Sequence, residues 1–244
     1  MFRTQTGFSL IELALVLVIM TLALGGALVP LNAQIEQRRL SETAQILNEV
    51  NDALLGFAIR NGRLPCPATS ASNGVEDPVG GGSCTNSYYG YVPAVSLGLG
   101  HLDANGFLLD AWGNRVRYAV TSTGNWAFTS AGGMKGAGLG ALTSTLAVCA
   151  SAAGTTSTGC GTATPLTSAD PNAPPAVIFS LGKNGAVPPP ATNTDELANQ
   201  DNNAVFVSHT PNPAGAPGGA FDDMVIWLSP NILYGQLVNA GQLP

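Results

Sequence analysis

Gly7-Phe8-Ser9-Leu10-Ile11-Glu12-Leu13 opens an apolar run that continues to Leu31 and carries a single charge, Glu12. At about 1.5 Å of rise per helical residue, the run from Phe8 to Leu31 is long enough for the roughly 30 Å of bilayer hydrocarbon. It exceeds the apolar region of a secretory signal, which is about 7–15 residues. Residues 1–7 (MFRTQTG) are short and polar and hold one cation, Arg3. The positive-inside rule then predicts a cytoplasmic residue 1–7 segment and an external remainder. Glu12 is anomalous, because an acidic group near the start of a membrane helix costs a few kcal/mol, less near the interface. On this physics alone a functional carboxylate and a headgroup-boundary carboxylate are equally good readings. A signal-peptidase site near Leu31-Asn32-Ala33 competes, weakened by Pro30 and by the length of the run. Gly25, Gly26 and Pro30 are residues that loosen or kink a helix.

Downstream, the pattern changes to that of an amphipathic helix over Asn32 to Asn61. Leu40, Ala44, Leu47, Val50, Leu54 and Ala58 recur at steps of three or four, which makes one apolar stripe. Glu36, Arg38, Arg39, Glu42, Glu49 and Asp52 occupy much of the rest. Gly62 and Pro65 supply the stop. Such a stripe packs on something, most simply a sheet of the same chain.

The rest of the 244 residues is rich in Gly, Ala, Ser, Thr and Pro, with 30 Gly and 17 Pro overall and only 10% charged residues. That composition favours a β- or loop-rich body over a helical bundle. A net charge of −6, without a basic stripe, argues against nucleic-acid binding. Cys66, Cys84, Cys149 and Cys160 lie in loop-like stretches without CxxC spacing, which argues against zinc and thioredoxin-like chemistry. Disulfides are expected, and of the three possible pairings the sequence-local one, Cys66–Cys84 with Cys149–Cys160, is favoured.

Residues 66–104 read as an irregular connection with Tyr88, Tyr89 and Tyr91 as anchors. Gly106–Leu109, Arg115–Thr121 and Trp126–Thr129 are predicted to form a three-strand meander. Residues 130–175 read as a low-complexity insertion with no core of its own. Further strands are expected at Val177–Leu181, Ala204–Ser208 and Met224–Leu228. Ser229-Pro230 then starts a short terminal helix. No catalytic constellation emerges, since His101 and His209 are the only histidines and neither accompanies a nucleophile motif.

The string Gly7-Phe8-Ser9-Leu10-Ile11-Glu12-Leu13, with its short basic leader and following apolar run, resembles the N-terminal signature of type IV prepilins and type II secretion pseudopilins. The resemblance covers about residues 1–35. It implies cleavage by a prepilin peptidase between Gly7 and Phe8, methylation of the Phe8 amine, and assembly into a filament with other subunits. Glu12 matches the family's glutamate, whose implied role is to neutralise the N-terminal amine of an adjacent subunit. Two unlike charges in an apolar helix bundle compensate each other, whereas either alone is costly. The expected fold is α+β and pilin-like: a long N-terminal helix, half transmembrane and half amphipathic, packed on an antiparallel β-sheet head with a long loop-rich insertion. Residues 1–7 would be a cleaved leader, 8–31 a transmembrane and filament-core helix, 32–61 its amphipathic continuation and 62–244 a β-rich head. The implied location is the bacterial inner membrane, single-pass with the head in the periplasm, and then the filament.

Leu109-Asp110-Ala111-Trp112-Gly113-Asn114, with Tyr118 beyond, also resembles a segment of the major pseudopilin of type II secretion, Ala111 standing where proline is usual. Ser180-Leu181-Gly182-Lys183-Asn184-Gly185 and Asp222-Asp223-Met224 resemble two further segments, with Asn184 where aspartate is usual. In that family these last two flank a calcium site, so calcium is the implied cofactor. Calcium takes six to eight oxygens. Asp195, Asp201, Asp222 and Asp223, with Glu196, are the candidate ligands, and a solvated acidic loop is the alternative. The functional expectation is a structural filament subunit and not an enzyme. The alternative is a minor pilin acting as a binding or adhesion module at a filament tip.

Overall fold

Helix α1 runs over Leu10–Asn61 in the computed structural model, which describes residues 9–169 and 172–244 and, for residues 22–32, the backbone alone. The chain divides into two compact units, one ending at Ser41 and one spanning Glu42–Pro244.

In the first unit the described side chains from Leu10 to Met20 are apolar apart from Glu12, and all are exposed. The expectation of a single-pass inner-membrane protein with a periplasmic head is overturned: among the described residues no helix is long and apolar enough to cross a membrane. The described apolar run at the start of α1 reaches only from Leu10 to Met20, which is about 16 Å of helix against roughly 30 Å of hydrocarbon. The expected leader (residues 1–7), Phe8 and the side chains of 22–32, on which the transmembrane reading also rested, lie outside the described residues.

The second unit begins with the amphipathic part of α1. Leu47, Val50, Leu54 and Ala58 are fully buried, as the 3.6-residue period requires. Gly62 ends the helix in the left-handed conformation (φ 64°), its N–H bonded to the Ala58 carbonyl at 2.8 Å.

Among the described residues six strands follow: β1 (Gly90–Tyr91), β2 (Arg117–Val120), β3 (Ala147–Cys149), β4 (Ala176–Ser180), β5 (Val205–Val207) and β6 (Met224–Trp227). Between them lie short helical segments α2 (Ala94–Leu97), α3 (Thr123–Trp126), α4 (Gly133–Ala137) and α5 (Thr194–Ala198), and the chain closes with α6 (Pro230–Asn239). The main sheet has the order β1-β2-β4-β6 and is antiparallel throughout. A second sheet pairs β3 with β5 in parallel. The architecture is therefore α+β.

The two faces of the main sheet serve two cores. Tyr118, Val120, Ala176 and Ile178 point to one side and join Leu47, Val50, Leu54 and Ala58 of α1 with Leu233 and Leu237 of α6. Ala119, Val177, Phe179 and Val225 point to the other and join Leu146 and Val148 with Ala204 and Phe206 around the small parallel sheet. This is the period-2 alternation of a sheet buried on both faces. Cys66–Cys84 and Cys149–Cys160 are disulfides, and no described cysteine is free.

Two expectations about the head are corrected. The meander does not form. Gly106–Leu109 makes only isolated bridges, and Trp126–Thr129 follows a turn in which Gly124 and Asn125 are left-handed. Residues 130–175 do have a core role: Met134, Leu142, Leu146 and Val148 are all at most 1% exposed, and β3 lies within the segment. The irregular 66–104 segment is anchored as expected at Tyr88, whose hydroxyl is 2.8 Å from Ser122 Oγ. A buried ion pair adds to it, with Arg63 donating to both Glu76 oxygens at 2.8 and 2.7 Å.

Candidate functional site

Two places carry the residues singled out by sequence. The first is the start of α1. Ser9 precedes the helix, and Glu12 is its third residue. The Ser9 N–H donates to Glu12 Oε2 at 3.2 Å, and the Glu12 N–H donates to Ser9 Oγ at 3.2 Å. This reciprocal capping box gives the Ser9 N–H an acceptor, adds one for the Glu12 N–H beside the Ser9 carbonyl at 3.1 Å, and puts a negative charge at the positive end of the helix. The Ser-x-x-Glu spacing that signals it was already in the string. Beyond it, Leu10 is 90% and Ile11 79% exposed, and Leu13 through Met20 are exposed on every side of the helix.

The second place is built from three loops and α5. Asp110 stands at the head of the Asp110–Asn114 turn, where its Oδ1 accepts the N–H groups of Trp112 and Asn114 at 2.9 and 2.8 Å. Its Oδ2 accepts Ser180 Oγ–H at 2.6 Å, and Asn114 Nδ2 donates to the Gly182 carbonyl at 2.6 Å. Burial raises the Asp110 carboxyl above its ordinary range against the pull of these donors. Gly182 (φ 62°) in turn lies against Asp222, where a Cβ would come within 2.2 Å of the Asp222 Oδ1. No side chain is tolerated at that approach. The three segments of the second resemblance are thus one physical assembly.

At its end Glu196, Asp222 and Asp223 converge, each offering a carboxylate oxygen within 4.8 Å of the others. Glu196 is 1% exposed. It accepts from Asn184 Nδ2 at 2.8 and 2.9 Å, from Asn193 Nδ2 at 2.6 Å and from the Asp222 N–H at 3.3 Å. Asp223 is 4% exposed; its Oδ2 accepts from Asn199 Nδ2 at 2.8 Å, while its Oδ1 is buried without a hydrogen bond. Burial, reinforced by the charges of Glu196 and Asp222, pushes the Asp223 carboxyl well above the usual carboxylate range. Among the described residues no basic side chain forms an ion pair with Glu196 or Asp223. Clustered hard oxygen donors and the orphaned buried Asp223 Oδ1 together fit a calcium-like cation.

Asp195 and Asp201 lie outside this group. Asp195 Oδ1 accepts the Ala152 N–H at 2.7 Å and its Oδ2 sits 3.2 Å from His209 Nε2. Asp201 accepts the Asn203 N–H at 3.2 Å in a local turn. His209 stacks on Phe221 with ring centroids 3.9 Å apart, and His101 is exposed. Gly7 and Phe8 lie outside the described residues. No family model matches the chain, nor does any curated protein or solved structure.

Proposed function

We propose that the chain is a structural filament subunit of the pilin or pseudopilin type, cut between Gly7 and Phe8 and assembled through the N-terminal part of α1. The observation that carries this reading is the exposure of Leu10–Met20 on all sides of a helix that bears one acidic group at its first turn. A helix apolar all round needs apolar neighbours on every side. Packed copies of the same helix supply them, and the Glu12 carboxylate of one copy then compensates the Phe8 amine of the next. In the free chain Glu12 is committed to the Ser9 cap. In the filament that carboxylate would gain a charged partner. The joined Asp110, Ser180–Gly185 and Asp222–Asp223 segments support the same reading from the second unit. The acidic group of Glu196, Asp222 and Asp223 is the calcium site of this proposal.

Mass spectrometry of the mature N-terminal peptide tests the processing step. The proposal expects a methylated Phe8 as first residue. Retention of Met1, or a start at Gln34, contradicts it.

A further inference from the structure

Arg117 lies on β2, paired in register with Tyr91 on β1 and with Phe179 on β4. Its guanidinium carbon is 3.9 Å from the centroid of the Tyr89 ring and 4.2 Å from that of Tyr91. Arg63 and Arg115 are each paired with a carboxylate, Glu76 and Asp103. Arg117 has no such partner among the described residues. Its guanidinium makes one hydrogen bond there, from Nη1 to the Tyr89 carbonyl at 3.3 Å, and Nε is buried with none.

This charge lines a cleft of ≈ 280 Å³ whose wall includes Ser70 and Asn86 and no second basic residue. The Asn86 Oδ1 is occupied by the Tyr89 N–H at 3.0 Å, which leaves the Asn86 amide nitrogen available to donate. Ser70 is exposed at the rim.

With two tyrosine rings within 4.2 Å of its central carbon, the guanidinium offers a ligand its N–H edge. The two oxygens of a carboxylate match that fork. A lone guanidinium balances one negative charge, which suits a carboxylate better than a phosphate dianion. The chain is acidic overall, at −6, so attraction of an anion here is local to Arg117. The hydroxyl and amide groups around it suit a ligand rich in hydroxyls. We propose that this cleft binds the carboxylate of an acidic sugar, a uronic acid unit.

The test is calorimetric titration of the full chain, in nonionic detergent with a chelator, using a galacturonate oligomer and the same oligomer as its methyl ester. The acid form should bind, and the neutral ester should bind at least about tenfold more weakly, as loss of a charge-assisted pair implies. Arg117→Gln should lose affinity by a similar factor. Ser70→Asp, a change at an exposed position that adds a competing carboxylate, should do the same with an unaltered melting temperature. Equal binding of acid and ester, no binding by the folded wild type, or wild-type affinity in both variants overturns the proposal. Preference for a peptide with a free C-terminal carboxylate over the oligomer overturns the sugar assignment.

Discussion

The Asp110 carboxylate and the Ser180 hydroxyl share a 2.6 Å hydrogen bond across seventy residues of sequence, and both side chains are buried. Through this bond the Asp110–Asn114 turn is fixed against the end of β4, and through Gly182 against Asp222. Ser180→Ala should leave Asp110 Oδ2 without its donor and also remove the acceptor of the Gly182 N–H. Chemical denaturation of the full chain should show a loss of about 1–3 kcal/mol with an unchanged m-value. A loss within experimental error would mean that water replaces the hydroxyl.

Asp223 gives a pH dependence whose sign follows from its environment. Its folded-state pKa is raised, so the folded chain binds a proton that the unfolded chain has released. Its contribution to stability is favourable at low pH and is lost as pH rises from about 4, the ordinary carboxylate value, through the raised one. The cation-free chain should therefore melt higher at mildly acidic pH than at neutral pH. Asp223→Asn should raise the neutral-pH melting temperature and flatten this part of the profile.

Calcium should reverse the penalty. A cation held by Glu196, Asp222 and Asp223 stabilises the folded state by about 2.7 kcal/mol at a hundredfold excess over its dissociation constant. Thermal melts of the wild type in chelator and in millimolar calcium should differ, and melts of Asp223→Asn should not. Identical wild-type melts leave a solvated acidic loop as the better description.

The Cys149–Cys160 disulfide ties β3, with its fully buried Cys149, to the loop after it. Replacing both residues by serine should cost roughly 2–4 kcal/mol. Non-reducing peptide mapping of the wild type should recover this linkage and Cys66–Cys84. Recovery of crossed pairs would contradict the fold around β3.

Much of the architecture was legible because it rests on simple periods. The helix over 32–61 follows the 3.6-residue period, and the strands expected at Val177–Leu181, Ala204–Ser208 and Met224–Leu228 are short apolar runs that the structure places at Ala176–Ser180, Val205–Val207 and Met224–Trp227. The meander was misread because side chains take the donors that a ladder would need. Asp103 Oδ1 accepts the N–H groups of Asn105 and Phe107, and Asp110 does the same for Trp112 and Asn114. These are turn-forming contacts that compete with strand pairing. Strand β3 was hidden because it has only three residues in a Gly/Ala-rich stretch, and its partner β5 lies far away in sequence.

The candidate sites were legible to different depths. Asp222 and Asp223 were apparent as a pair, but composition could not say which of the neighbours Asp195 and Glu196 would join them. On α5 adjacent side chains diverge by about 100°, so Glu196 meets Asp222 while Asp195 turns to His209. The Ser9–Glu12 box has the Ser-x-x-Glu spacing of a cap, but that string was read for its charge and not as a cap. Arg117 was not legible, because nothing local in sequence shows that an arginine lacks an acidic partner.

The cap at Glu12 separates its two roles by substitution. Glu12→Gln keeps a capping-box side chain without the charge, and Glu12→Ala removes both. Gln should therefore give the milder defect, with processing at Gly7–Phe8 retained in each variant. The most direct measurement of the proposed assembly is the ratio of filament-associated to unassembled protein for wild type and Glu12→Ala. An amine left unpaired in an apolar bundle costs several kcal/mol, so the ratio should fall at least about tenfold. If Glu12→Ala enters filaments as well as wild type, Glu12 serves only to cap α1, and charge pairing does not drive assembly of this chain.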